Sequence, residues 1–356
     1  MAANTPDDAL PPTMKAWRYH KAAGGAEKHM QVDEIPLPAN PSSLPADSTL
    51  IKVHTVALNP VDIKFSEVPL IGQFLHPFPA IPGLDGVGRV VKTTDASVQP
   101  GQLVMFRKQD NQKDGALAEY ALVPHEGCLP IPAGVSPIQA ATVGTCGVTA
   151  YQALAPYLKL GDDQKQPRVF INGGSGGTGT FQIQVAKALG CYVATSCSTP
   201  NVELCKSLGA DEVIDYRQKP VEEALPQMVQ QKKTEPFDLF VDNVHAPWRR
   251  YRVAHQYLTP EGRYVQIGAD MTWSGVRELI CIMFTPSFLG GGKRPWTFKA
   301  VKTSRADAER VLGWMAEGKM KIPIDSEFSF ESVPEAYKKL KEGRARGKMI
   351  VHVAEE

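Results

Sequence analysis

Val169-Phe170-Ile171-Asn172-Gly173-Gly174-Ser175-Gly176-Gly177-Thr178-Gly179 is the stretch on which the reading of this chain turns. A short apolar run, the pattern of a buried strand, leads into three glycines spaced G-x-G-x-x-G at Gly174, Gly176 and Gly179. A helix over residues 180–189 follows, with Phe181, Val185, Ala188 and Leu189 on one face and Gly190 as its stop. Glycines let such a turn tighten and let backbone N–H groups approach a pyrophosphate, to which a helix adds its positive amino end. Gly174, Ser175, Gly176, Gly177, Thr178 and Gly179 are therefore candidate cofactor-binding residues. The plain alternative is a glycine-rich turn without a ligand.

Downstream the rhythm is strand, helix, strand. Residues 191–195, 212–215, 237–242 and 262–267 read as strands, with a helix over 202–208 between the first two. Alternation of this kind builds a parallel sheet covered by helices on both faces. The second strand bears on the cofactor. An NAD site places a carboxylate about 20 residues after the loop, on the ribose hydroxyls. Here the strand ends Ala194-Thr195-Ser196-Cys197-Ser198-Thr199-Pro200-Asn201, with no carboxylate and with Ser196, Ser198 and Asn201 as hydrogen-bond donors. That favours NADPH over NADH. Ser198 and Asn201 also suit helix capping.

Upstream, residues 14–145 are rich in short strands punctuated by Gly and Pro, among them 50–58, 86–92 and 119–123. This is the pattern of a barrel-like β domain. Beyond residue 305 come a helix, a short strand over 328–330, a second helix and a final strand over 348–353, which do not extend the parallel series and fit a return to the amino-terminal β domain.

Composition sets outer limits. The 356 residues suit two domains, and 43% hydrophobic with 22% charged residues is ordinary for a folded protein. A net charge of +1 argues against a nucleic-acid binder. No run of about 18 apolar residues is present, so no membrane-spanning helix is expected. Residues 1–13 lack a basic start and an apolar core, so they do not read as a signal peptide, and the six scattered cysteines form no CxxC pair. Both point to a reduced, cytoplasmic protein.

Several motifs together resemble a medium-chain dehydrogenase/reductase of the zinc-free, quinone-oxidoreductase-like branch. They are Asn59-Pro60-Val61-Asp62, Pro82-Gly83-Leu84-Asp85-Gly86-Val87-Gly88, the Gly174 loop, residues 208–216 (LGADEVIDY) and residues 343–348 (GRARGK). The resemblance spans nearly the whole chain. It implies an α/β fold in which a Rossmann doubly wound parallel sheet is inserted into a GroES-like β-barrel domain. The implied boundaries are 1–143 and 305–356 for the catalytic domain and 144–304 for the NADPH-binding domain.

The resemblance also assigns roles. Asn59 and Asp62 border the nicotinamide and the substrate cleft. Thr149 holds the carboxamide or its ribose, Ile267-Gly268-Ala269 contact the ring, Asn243 lies near the ribose, Tyr216 serves the 2′-phosphate end, and Arg346 or Lys348 meets the cofactor at the domain junction. Each residue also has a plain reading: turn or helix capping for Asn59 and Asp62, core packing for Tyr216, solvated charge for Arg346 and Lys348. Zinc relatives carry Cys where this chain has Asn59, His-Glu where it has Leu84-Asp85, and Cys at Thr145 beside Cys146. No metal is expected, because leucine has no ligating atom and asparagine is a poor zinc ligand. The expected chemistry is hydride transfer from NADPH to an activated C=C bond in an apolar enone or enal, or to a quinone. A trans-acting enoyl reductase on a carrier-bound polyketide and a mainly structural cofactor-binding protein are the alternatives. The proton donor stays open among solvent, Ser66 and the cofactor ribose, since residues 65–69 (FSEVP) carry no Tyr. The apolar residues 279–289 suit a pocket wall, a core helix or a dimer edge, and the protein is expected as a homodimer or a monomer.

Overall fold

The computed structural model describes residues 10–68, 72–75, 77–109, 114–161, 165–245, 247–268 and 272–354. The glycine loop begins at the end of the first strand of a six-stranded parallel sheet, whose strands we number β1 (Arg168–Asn172), β2 (Tyr192–Cys197), β3 (Glu212–Asp215), β4 (Phe237–Asp242), β5 (Leu258–Gln266) and β6 (Trp296–Phe298). Their spatial order is 3-2-1-4-5-6, that of a dinucleotide-binding doubly wound sheet. Strand alternation sorts the core. Val169, Ile171, Leu239 and Val241 face one cluster, which also holds Phe181 and Val185 of the helix α1 (Gly177–Ala188). Phe170 and Phe240 face the other, stacked with ring centroids 5.1 Å apart, and Tyr264 stacks on Phe240 at 4.7 Å. Near-continuous apolar strands are what a sheet buried on both faces demands.

A two-stranded antiparallel sheet pairs Thr13–Tyr19 with Met30–Pro36, and a seven-stranded sheet is built around Ser48–Ala57, which pairs antiparallel with Asp85–Thr93 along one edge. Its other edge takes Tyr120–Pro124 near its start and Lys348–His352 near its end, with Ile350 opposite Ala57 and His352 opposite Thr55. The carboxyl-terminal strand thus returns to the amino-terminal β domain, the return that the sequence pattern allowed.

One expectation is corrected. The helix after the glycine loop starts at Gly177, inside the loop, rather than at residue 180, because the glycines adopt helical conformation there. Of the three readings of the apolar residues 279–289, the core helix is excluded. In the helix Trp273–Phe284 only Gly275 and Ile282 are buried, while Trp273 is 81% and Phe284 72% exposed. The short strand β6 was not legible, since three residues show no periodicity.

Candidate active site

Gly176 is the N-cap of α1 and supplies no side chain to the amino end of the helix. The first-turn N–H groups are left for a ligand, as anion binding requires. The other glycines shape the loop. A Cβ at Gly174 would stand 2.0 Å from Thr195 Oγ1, and one at Gly179 would stand 2.2 Å from the Gly173 carbonyl oxygen. Above Gly176 the nearest atom to a Cβ is 3.7 Å away, so that side of the loop is open. The cradle fits a pyrophosphate.

At the end of β2 the three candidate donors differ. Ser196 is fully buried; its hydroxyl donates to Asn172 Oδ1 at 2.5 Å and accepts from Gly173 N at 3.1 Å. It builds the loop from beneath, and its hydroxyl is not turned to a 2′-phosphate. Neither Ser198 nor Asn201 caps the following helix through its side chain. The Asn201 amide instead donates to Ser175 Oγ at 3.1 Å and Ser198 Oγ at 3.2 Å, linking the strand end to the glycine loop. Tyr216 is 48% exposed, so it is not a core aromatic. The sheet also brings in Asp215, from the end of β3. The Thr199 hydroxyl and the local turn hold its carboxyl below the usual range, and its oxygens accept from Arg217 N and Gln218 Nε2.

At the ends of β4 and β5, Asn243 exchanges hydrogen bonds with Gln182 of α1, at 2.6 and 3.1 Å. A Cβ at Gly268 would lie 2.7 Å from the Asn243 carbonyl oxygen, so the chain at Ile267-Gly268 runs tight against Asn243. Ala269 lies outside the described residues. Beneath them, buried Asp242 accepts from Asn172 Nδ2 at 2.8 Å, Arg250 Nε at 2.9 Å and the Tyr264 hydroxyl. A line of hydrogen bonds, Arg250–Asp242–Asn172–Ser196, therefore ties the carboxyl ends of β4, β1 and β2 together.

The two sheets meet where Gly347 N donates to the Ser175 carbonyl at 3.0 Å. The next residue, Lys348, is 2% exposed and passes under the loop, its Cδ 3.2 Å from where a Gly177 Cβ would be. Its ammonium donates to the Leu58 carbonyl at 2.9 Å, Asn59 Oδ1 at 2.6 Å and Cys146 Sγ at 3.4 Å. The Asn59 amide nitrogen donates to Ala57 O at 3.2 Å and Asp85 Oδ2 at 2.9 Å. Fully buried Asp85 also accepts from Thr145 N and Thr145 Oγ1, both at 2.8 Å. The Asn59 amide thus spends its whole hydrogen-bonding capacity inside the protein and presents no group to a substrate. The Lys348 ammonium faces Asn59 rather than the cofactor loop. Arg346 is exposed and anchored only through its backbone N–H, on Asp325 at 3.0 Å. Thr149 is buried in the helix Val148–Leu154 beside this junction.

Asp62 does not cap the helix that follows but lies within it (Val61–Lys64); it reaches back to accept from Asn59 N at 2.9 Å, and it also accepts from the Tyr337 hydroxyl at 2.9 Å. Its other oxygen, Oδ1, is buried without a hydrogen-bond partner. Burial, reinforced by the Asp85 charge, pushes its carboxyl up to about 7. Tyr337 was invisible to motif reading because it lies 275 residues away. So was Tyr19, whose hydroxyl lies 2.7 Å from Ser66 Oγ. The strand Thr13–Tyr19 thereby brings a buried tyrosine hydroxyl to Ser66.

The family comparisons agree with this architecture. Residues 45–133 match the alcohol dehydrogenase GroES-like domain and residues 208–351 the zinc-binding dehydrogenase domain. The chain is 44% identical to the trans-enoyl reductase pgmF of Aspergillus terreus, over 97% of this chain and 98% of the relative. It is 30% identical to the chloroplastic quinone-oxidoreductase QR1 of Triphysaria versicolor, over 95% and 98%. In fold it is similar to a quinone oxidoreductase from Coxiella burnetii, with a TM-score of 0.79 at 24% identity, covering 96% of this chain and all of that one.

The zinc in the second domain description does not fit these residues. Leu84 offers no ligating atom, the Asn59 amide is saturated, and the Lys348 ammonium already stands between Asn59 and Cys146. Among the described residues no three His, Cys, Asp or Glu side chains are grouped to hold a metal. No helix among them is long and apolar enough to cross a membrane.

Proposed function

From a chain that belongs to the medium-chain dehydrogenase/reductase family, in its quinone-oxidoreductase-like branch, we propose a zinc-independent, NADPH-dependent reductase of activated C=C bonds or quinones. The observation that carries the reading is the uncapped amino end of α1 beside a junction whose cation is an ammonium and not a metal. With no Lewis acid to polarise an alcohol, the acceptor has to be electrophilic already. The nicotinamide cofactor supplies the hydride.

The chain's own residues bind and orient. The N–H groups of Gly177, Thr178 and Gly179 would hold the pyrophosphate. Asn243, kept in place by Gln182, would face the ribose, with Ile267-Gly268 beside the ring. Ser198, Asn201 and Tyr216 would receive the 2′-phosphate, and the absence of a carboxylate on β2 supports NADPH. Asp215 spends its oxygens on its own turn and stays ionised, a repulsion that these donors would have to outweigh. Asp62, with its carboxyl near 7, is a group able to hold a proton at neutral pH close to Asn59. The domain boundaries at 143/144 and 304/305 and a cytoplasmic location belong to the same proposal.

The 44% identity to a trans-enoyl reductase favours one refinement, an acyl chain delivered on a carrier. The test is NADPH against NADH oxidation by the pure protein, with 9,10-phenanthrenequinone, a linear enone and an α,β-unsaturated acyl-pantetheine thioester as acceptors. NADPH-selective turnover supports the proposal. Turnover confined to the thioester selects the carrier-bound reading. Tight NADPH binding with no turnover on any acceptor overturns it.

A further inference from the structure

We propose that the Lys348 ammonium is the resident cation of this site, standing where the family's metal-binding members would place the ion, and that it is a positioning residue linking the cleft to the phosphate loop. Three observations carry this. The side chain is buried, and all three of its N–H donors are taken: by Leu58 O, Asn59 Oδ1 and Cys146 Sγ. Two of these acceptors, Asn59 and Cys146, also touch one another, with the thiol 3.4 Å from Asn59 Oδ1. A polar ring is thereby closed around the cation, and Asp85, itself 4.0 Å from the buried Arg107 guanidinium, lies one hydrogen bond away through the Asn59 amide at 2.9 Å. Finally, the residue before Lys348 is bonded to Ser175 and Lys348 itself lies against Gly177. One residue thus sets both the Asn59 amide and the base of the pyrophosphate cradle.

Buried acceptors such as Leu58 O and Asn59 Oδ1 are costly to leave without a donor or a cation. A metal meets that need through ligand bonds and must be acquired. An ammonium carried on the chain meets it through hydrogen bonds once the carboxyl-terminal strand pairs with Ser48–Ala57. Cation, strand pairing and cofactor loop are then completed in one folding event.

The assignment can be tested without any turnover. Removing the ammonium and supplying one thiolate should convert the place into a metal site. The variant Asn59→Cys with Lys348→Ala gathers the introduced thiol, Cys146 and Asp85 around the vacated position. Titrated with Co²⁺ in the absence of oxygen, it should develop thiolate-to-cobalt and visible d–d absorption at one equivalent. Asn59→Cys alone, which keeps the ammonium, should bind Co²⁺ about a hundredfold more weakly or not at all, because the ammonium repels a second cation brought within a few ångströms. Equal binding by the two variants, or no binding by a double variant that melts normally, would overturn the proposal. A measurement on the unaltered protein covers the case in which the double variant does not fold. Lysine-selective heteronuclear NMR should show a solvent-protected NH₃⁺ resonance at neutral pH that Lys348→Met removes. Its absence from the unaltered protein overturns the proposal as well. Both readouts are independent of the acceptor, so a failure here is distinct from a failure of the reductase reading.

Discussion

Asn201 reaches back from the end of the second parallel strand to Ser175 in the phosphate loop, its amide nitrogen 3.1 Å from the serine oxygen. The two places proposed for the pyrophosphate and the adenosine ribose are therefore connected by the protein's own side chains. Ser198 completes the link, accepting from the same amide at 3.2 Å.

Ser198→Asp tests cofactor choice. A carboxylate at this strand end accepts the Asn201 hydrogen bond and leaves the fold intact, but it repels a 2′-phosphate and suits ribose hydroxyls. The ratio of kcat/KM for NADPH over NADH should fall by about tenfold or more, a change of roughly 1.4 kcal/mol. An unchanged ratio would remove this strand end from cofactor selection.

The glycines of the loop should separate into two classes. Gly174→Ala and Gly179→Ala place a Cβ 2.0 and 2.2 Å from neighbouring atoms, so both should lower the melting temperature, by roughly 1–3 kcal/mol of overpacking, and abolish NADPH binding. Gly176→Ala meets nothing within 3.4 Å and keeps an extended φ of −79°, so the protein should melt normally. Its affinity for NADPH should still fall, because the methyl group stands where the cofactor approaches. Differential scanning calorimetry and NADPH fluorescence titration read the two effects independently.

Asp62 gives a pH signature with a defined sign. Its folded-state carboxyl lies near 7 against an ordinary 3.8, chiefly from burial. Between these values the folded protein holds a proton that the unfolded chain has lost, so this residue makes stability fall as pH rises from about 4 to 7, by at most about 1.4 kcal/mol per pH unit. Asp62→Asn keeps an acceptor for Asn59 N and the Tyr337 hydroxyl while removing the titration. Urea unfolding at a series of pH values should show the variant gaining on the unaltered protein across that window. Parallel stability curves would show that Asp62 does not titrate there.

Prolonged treatment with 1,10-phenanthroline followed by gel filtration should leave reductase turnover and melting temperature unchanged, because Leu84, the saturated Asn59 amide and the Lys348 ammonium leave no metal-ligand set. Loss of activity restored by Zn²⁺ would contradict that account.

Sequence alone was enough for whatever depends on short spacing. The apolar run 169–171, the glycines that follow it and the regular return of strands specify a parallel sheet with a phosphate loop, because strand alternation and turn chemistry act within a few residues. The missing carboxylate at 194–201 was legible for the same reason, as were the substitutions at Asn59 and Leu84 that argue against a metal. The occupants of the junction were not. Lys348 meets Asn59 across 289 positions and Tyr337 meets Asp62 across 275, and no periodicity links such pairs. Only the pairing of the carboxyl-terminal strand with Ser48–Ala57 brings the ammonium to the amide, and only packing decides that Ser196 faces inward and that the Asp62 carboxyl is pushed up to about 7. Spacing sets which elements form, whereas desolvation and hydrogen-bond saturation, which exist only once those elements pack, decide what each polar group can still do.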